Sequence, residues 1–314
     1  MTEPPRPVLF EDVPYAARDG EILLARIYRV ADAGAATAVV DVHPGAWSEG
    51  DRTWGRVYGE ALARRGFVVV ALDFRQGPRF AHPAASADVA TGVRWVRAAS
   101  EPLGIDPGRI ALTGSSSGGH LAMLAACRPN APEHAGAPLR WDRSGEVPGE
   151  IDASVRCVAA LWPPVDPGAR YEWLLERLRT EPPDQHDHYR SLLDGTNSYF
   201  GDRGVMRAVS VPRIVRDGEA THLPPVWVCY PELDQNVPSF IVEDLEAAWR
   251  AAGGTISVSV YEGAEHAFGH WPGAATDRFV DELAAFLRRF TEPGEANTSS
   301  RTSDVRSSFR SEGR

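Results

Sequence analysis

The stretch Arg109-Ile-Ala-Leu-Thr-Gly-Ser-Ser-Ser-Gly-Gly-His-Leu-Ala-Met-Leu-Ala-Ala-Cys127 decides the fold. One apolar run enters a Gly/Ser turn and a second leaves it, which reads as strand, sharp turn and helix. Gly114, Ser116 and Gly118 fit the spacing Gly-x-Ser-x-Gly. The frame selects one serine of three adjacent ones. Ser115 would need glycines where Thr113 and Ser117 stand, and Ser117 would need one where Ser115 stands. A serine at the tip of such a turn has a strained backbone and an exposed Oγ. The flanking positions are glycine because a Cβ there would collide with the turn. The helix that follows points its first N–H groups and its positive dipole end at a reacting carbonyl. A flexible Gly/Ser linker is the competing reading, and the apolar flanks on both sides argue against it.

The 314 residues suffice for one large α/β domain with insertions. A composition of 43% hydrophobic and 24% charged residues is that of a soluble globular chain. The net charge of −10, without a dense basic run in the folded part, argues against nucleic acid as a partner. The cysteines Cys127, Cys157 and Cys229 are odd in number and each lies in an apolar segment. Buried free thiols and a reducing, cytoplasmic compartment are therefore expected. The opening residues Met-Thr-Glu-Pro-Pro-Arg-Pro lack the apolar stretch of a signal peptide. No run approaches the roughly 20 apolar residues of a membrane span.

Along the chain, strands are expected at 21–29, 37–43, 67–73, 109–115, 155–162, 225–230 and 255–261. Helices are expected at 52–65, 83–100, 117–128, 171–179, 238–252 and 277–290. Strands alternating with helices over short links predict a mostly parallel sheet covered on both faces. Residues 128–152 and 163–224 break this rhythm. Residues 1–20 are Pro-rich and polar and read as a surface arm, and 292–314, poor in apolar side chains, as a disordered tail.

A serine hydroxyl needs a base within hydrogen-bond reach and a third group to orient that base. Asp234 follows the strand PPVWVCY, at the carboxyl end where ligands meet open α/β sheets. Glu232 is its understudy, and Asp244 falls inside the next helix. Of nine histidines, only His266 and His270 follow a strand after the acid, and His266 is nearer the strand end. The oxyanion needs N–H donors. The backbone of Ser117 is one candidate, and Gly45 and Ala46 in His43-Pro44-Gly45-Ala46-Trp47 are the others, since Pro44 has no N–H. His43 reads as a brace for that loop, and His120 as a packed or capping residue. His186-x-His188 lacks a converging ligand set, so no metal site and no cofactor are expected. Trp47 and Trp162 are candidate substrate contacts. The aromatics Trp141, Tyr171, Trp173, Tyr199 and Phe200 of the insertions either line a pocket or form the insertions' own small core.

The runs HPGAWSEGD (43–51), VVVALDFR (68–75), DVATGVRWVRAASEPLGIDPGRIALTGSSSGGHLA (88–122), ELDQNVP (232–238) and GAEHAF (263–268) resemble the α/β-hydrolase superfamily. More narrowly they resemble its esterase/lipase group with HGG-x-W and G-x-S-x-GGHLA, which includes hormone-sensitive-lipase-like, feruloyl or acetyl-xylan esterase-like and kynurenine formamidase-like enzymes. Pro44 replaces a glycine of HGG, and Ser115 and Ser117 stand where Asp or Glu and Ala are frequent. The resemblance implies an α/β-hydrolase fold over 21–290, with cap insertions at 129–152 and 163–224 above the carboxyl edge of the sheet, and a tail at 291–314. It also implies Ser116 as nucleophile, Asp234 as acid, His266 as base and Gly45, Ala46 and Ser117 as oxyanion hole. The expected activity is hydrolysis of a small-molecule carboxylic ester, with the amide of an arylformamidase-type substrate as the alternative. A catalytically silent hydrolase-fold receptor would have lost one of the three residues. A homodimer is compatible with the sequence.

Overall fold

The runs Ala36–Val42 and Val68–Leu72 are buried at every position, the pattern of strands covered on both faces. The computed structural model, which describes residues 7–31, 36–135 and 151–292, builds an eight-stranded sheet around them. Its strands are β1 (Val8–Arg18), β2 (Glu21–Val30), β3 (Ala36–Val42), β4 (Val68–Leu72), β5 (Ile105–Ser115), β6 (Val158–Leu161), β7 (Val226–Pro231) and β8 (Ile256–Tyr261). The order across the sheet is β1-β2-β4-β3-β5-β6-β7-β8. The pairs from β4 through β8 are parallel, while β2 runs antiparallel to both β1 and β4.

The helices are α1 (Arg56–Arg64), α2 (Ala84–Ala98), α3 (Ser100–Leu103), α4 (Ser117–Cys127), α5 (Pro167–Thr180), α6 (His186–Phe200), α7 (Arg203–Ala208), α8 (Val211–Arg216), α9 (Ser239–Ala251) and α10 (Ala274–Thr291). None of the described helices is long and apolar enough to cross a membrane. Alternation along the strands sorts the core into two layers. Val40, Val42, Val70, Leu72 and Leu112 pack with α2, α4 and α9, and Val39, Val69 and Ala111 with α1 and α10. Chain order reverses at β3. The chain steps outward to β4, then crosses back to β5 on the other side. The carboxyl ends of β3 and β5 therefore flank a switch point, where open α/β sheets bind ligands.

Two expectations differ from this architecture. Residues 8–18, read as part of an arm, form the edge strand β1. Pro14 sits where the β1–β2 register shifts, a place in a ladder that tolerates a missing N–H. The irregular-looking stretch 163–224 carries four helices, with Leu174, Tyr189 and Leu193 as a small core between α5 and α6. The expected tail falls outside the described residues from 293 onward, as does 136–150 of the earlier insertion.

The three cysteines are free and buried. Burial pushes the thiols of Cys127 and Cys157 up to about 12, so neither presents a thiolate at neutral pH.

Backbone contact is closest at α4. A Cβ on Gly118 would stand 2.1 Å from the Val42 carbonyl oxygen, and one on Gly114 would stand 2.4 Å from that of Gly118. Both obstacles are backbone, so neither can swing aside. Gly118→Ala is expected to cost about 3 kcal/mol or more of unfolding free energy, or to prevent folding. A urea midpoint within error of the wild type would contradict this packing.

Acid sensitivity also follows from burial. His43, His82, His120 and His270 are each pushed down to about 4 by desolvation. Between about pH 6.5 and pH 4 the unfolded chain binds protons that these folded imidazoles refuse, so stability falls as pH falls through that window. Asp41 works in the opposite sense, being pushed up to about 7 by burial. Asp73 and Asp88, also raised by burial, side with it. Four large histidine shifts outweigh the one large aspartate shift. The urea midpoint at pH 4.5 is expected to lie below that at pH 7, and an equal or higher one would refute the balance.

Candidate active site

At the end of β5 the chain turns through Ser116, whose φ of 49° and ψ of −124° are a conformation that costs a non-glycine residue strain. Neighbouring backbone holds it there. Ser116 N–H donates to the Leu161 carbonyl at 2.8 Å. Its own carbonyl accepts from Gly119 N–H at 2.8 Å and His120 N–H at 3.2 Å, so the serine itself starts α4. Ser117 is the first helical residue, and its N–H has no intrahelical acceptor.

Asp234 and His266 arrive from the loops after β7 and β8. The Asp234 side chain is fully buried, and its Oδ1 accepts from the N–H groups of Asn236 at 2.8 Å and Val237 at 2.9 Å. The two loops are stitched together by Glu232 N–H to Tyr261 O at 3.0 Å and Leu233 N–H to Ala264 O at 2.9 Å. His266 Nδ1 lies 2.8 Å from Asp234 Oδ2, and His266 Nε2 lies 3.0 Å from Ser116 Oγ. A carboxylate oxygen accepts, so Nδ1 carries the hydrogen and the bare Nε2 accepts from the serine hydroxyl. With 14% of its side chain exposed, His266 is reachable from solvent. Of the alternatives, Glu232 accepts from Gly263 N–H at 2.8 Å and Asp244 pairs with Arg216 at 2.6 Å.

The loop after β3 has three successive residues at positive φ: Gly45 at 125°, Ala46 at 50° and Trp47 at 62°. Gly45 is required, since a Cβ there would stand 1.9 Å from the Glu49 carbonyl oxygen. Its carbonyl ties the loop by accepting from Ser48 N–H at 2.9 Å and Glu49 N–H at 3.0 Å. Among the described residues the N–H groups of Gly45 and Ala46 have no protein acceptor. The His43 ring stacks on Phe74 with centroids 4.1 Å apart, and its Nδ1–H donates to the Pro44 carbonyl at 2.7 Å. The imidazole props this loop in neutral form.

Trp47 and Trp162 are not at a substrate surface, because neither indole has accessible area. Trp47 Nε1–H donates to His120 Nδ1 at 3.2 Å, so His120 Nε2 carries the other hydrogen and donates to Val209 O at 3.0 Å. Trp162 packs its ring against His266 with centroids 6.3 Å apart. Trp47 is enclosed by His120 and Phe200, and Trp162 by His266, Phe268 and Phe279. His186 is engaged locally by Glu181 O at 2.9 Å, and His188 reaches Asn236 Oδ1, beyond Asp234, at 2.6 Å.

A buried polar chain lies behind the serine. His270 Nε2 is 3.1 Å from Ser115 Oγ rather than beside Ser116. The Tyr58 ring packs on that of His270 with centroids 5.7 Å apart, and its hydroxyl donates to Asp41 Oδ1 at 3.0 Å. The chain joins β3, α1, β5 and the His266 loop. Its sequence signal was Asp41, a lone charge in the apolar run TAVVDVH, which a buried strand tolerates only with a partner. Tyr58 carried no comparable signal.

The chain matches the BD-FAE family model over residues 27–240. It is 29% identical over 264 residues to Esterase LipC of Mycobacterium tuberculosis, covering 81% of this chain but only 58% of LipC. Among solved structures it is similar to the propionate-bound form of the thermophilic esterase Est2 of Thermogutta terrifontis, with TM-score 0.67, 25% identity, and 90% and 96% of the two chains covered. It shares its fold with the metagenomic carboxylesterase EstE1 at TM-score 0.71 and 23% identity, over 92% and 91% of the two chains. An eight-stranded, mostly parallel sheet, a strained serine after β5, and a family match across most of the chain identify this protein as a member of the BD-FAE family with the α/β-hydrolase fold.

Proposed function

We propose that this protein is a serine esterase that cleaves small or medium-sized carboxylic esters through an acyl-enzyme. The observation that carries this reading is the continuous line from Asp234 through His266 to Ser116 Oγ, with contacts of 2.8 Å and 3.0 Å, ending on a serine held at φ 49°. The names of LipC and Est2 as esterases support the same class.

In this reading Ser116 Oγ attacks the ester carbonyl while His266 Nε2 takes its proton. Asp234 accepts the Nδ1–H and stabilises the imidazolium. The tetrahedral oxyanion meets the N–H groups of Ser117, Gly45 and Ala46. Collapse expels the alcohol, which leaves with the proton from His266. Water, deprotonated by the same imidazole, then releases the acid and restores Ser116. The buried free thiols support a reducing, cytoplasmic site of action.

The test is turnover of p-nitrophenyl acetate and butyrate. Ser116→Ala is expected to lower kcat by on the order of 10³-fold or more, and Asp234→Asn by a comparable factor through the wrong histidine tautomer. Ester turnover that survives Ser116→Ala would sink the mechanism.

A further inference from the structure

Arg170 on α5 is 3% exposed, yet among the described residues it has no carboxylate in contact. Its Nε donates to the Asn236 carbonyl at 2.7 Å and its Nη1 to Thr196 Oγ1 at 3.4 Å. The guanidinium carbon stands 5.9 Å over the Trp47 ring. A guanidinium has five N–H donors, and these contacts use two. Nη2 has no acceptor among the described residues and is not sealed from solvent. Asp234 acts on it only at longer range, and burial lowers it to about 10, which leaves it charged at neutral pH.

Its surroundings place it beside the loop that carries Asp234 and the loop after β3. Asn236 is two residues beyond Asp234, and Trp47 directly follows Ala46. Thr196 follows Gly195, where an added Cβ would stand 2.8 Å from the Ala46 Cβ. The guanidinium thus lies where the acid loop, the oxyanion loop and α6 meet. A buried cation without a counter-ion is expensive unless something else supplies the charge. The free edge of a planar fork matches a carboxylate, and the indole face behind it favours a cation in that place.

We propose that Arg170 receives a carboxylate carried by the substrate, so that the preferred substrates are esters bearing a second, ionised carboxyl group, such as hemiesters of dicarboxylic acids. This rests on the esterase reading. The carbonyl under attack sits at Ser116 while the distant carboxylate engages Nη2, so the charge fixes which end of the molecule reacts.

The test compares monoethyl glutarate with ethyl pentanoate, a neutral ester of the same main-chain length, by ethanol release. The wild type is expected to show a higher kcat/KM for the hemiester. Arg170→Gln is expected to lower the hemiester-to-neutral ratio of kcat/KM at least about tenfold, and Arg170→Lys to recover part of it. A wild type that prefers the neutral ester overturns the proposal, and that result needs no variant. An Arg170→Gln variant that loses both activities in equal proportion also overturns it, leaving Arg170 as a strut for the acid loop. Neutral-ester turnover that depends on Ser116 keeps the esterase reading in either case. Absence of turnover with both esters removes the two together.

Discussion

The structure depends on how closely the helix after β5 approaches the sheet. Gly118 lies against the Val42 backbone and Gly114 against Gly118 itself, with no room for a methyl group at either position. That contact pulls the start of α4 under the carboxyl ends of β3 and β5 and leaves Ser116 no relaxed conformation. The strain at φ 49° is therefore a result of packing. It is sustained by three backbone hydrogen bonds at the serine and by the apolar burial of α4 along its whole length. The same approach brings the N–H of Ser117 next to the loop after β3, so Ser116 and that loop are positioned by one steric fact.

The parts of the molecule legible in the sequence were those where local chemistry and global fold demand the same residue. Gly114 and Gly118 are needed by the turn and by the helix–sheet contact alike. Asp234 and His266 each follow a strand whose apolar run is unmistakable, and the sheet does the rest by bringing the carboxyl ends of β5, β7 and β8 together. The edge strand β1 was opaque because it is only half buried. Leu9 and Phe10 face outward, and Pro14 interrupts the alternation. Helices α6 to α8 were opaque for another reason. They are short or polar-rich and are held by tertiary contacts, Tyr189 and Leu193 with Leu174, and Met206, Val211 and Ile214 in the main core.

Aromatic side chains illustrate a separate limit. A tryptophan next to a catalytic loop can face the substrate or support the loop, and composition does not distinguish the two. Trp47 and Trp162 are supports, because each indole is enclosed by residues distant in sequence: His120 and Phe200 around the first, Phe268 and Phe279 around the second. Arg170 shows the converse. It directly precedes a run, YEWLLERLR, that reads as an ordinary amphipathic helix, and only the meeting of two loops and α6 around it gives the charge significance.

His120 has a further consequence. Both of its ring nitrogens are committed, one receiving the Trp47 indole N–H and the other donating to Val209 between α7 and α8. A single neutral imidazole therefore fastens the loop after β3 and the inserted helices to the helix that follows Ser116. A second proton on that ring would leave Trp47 facing a donor instead of an acceptor, and the indole would have to let go. The bolt is thus also a fuse. Acid would loosen the loop after β3 through this one contact.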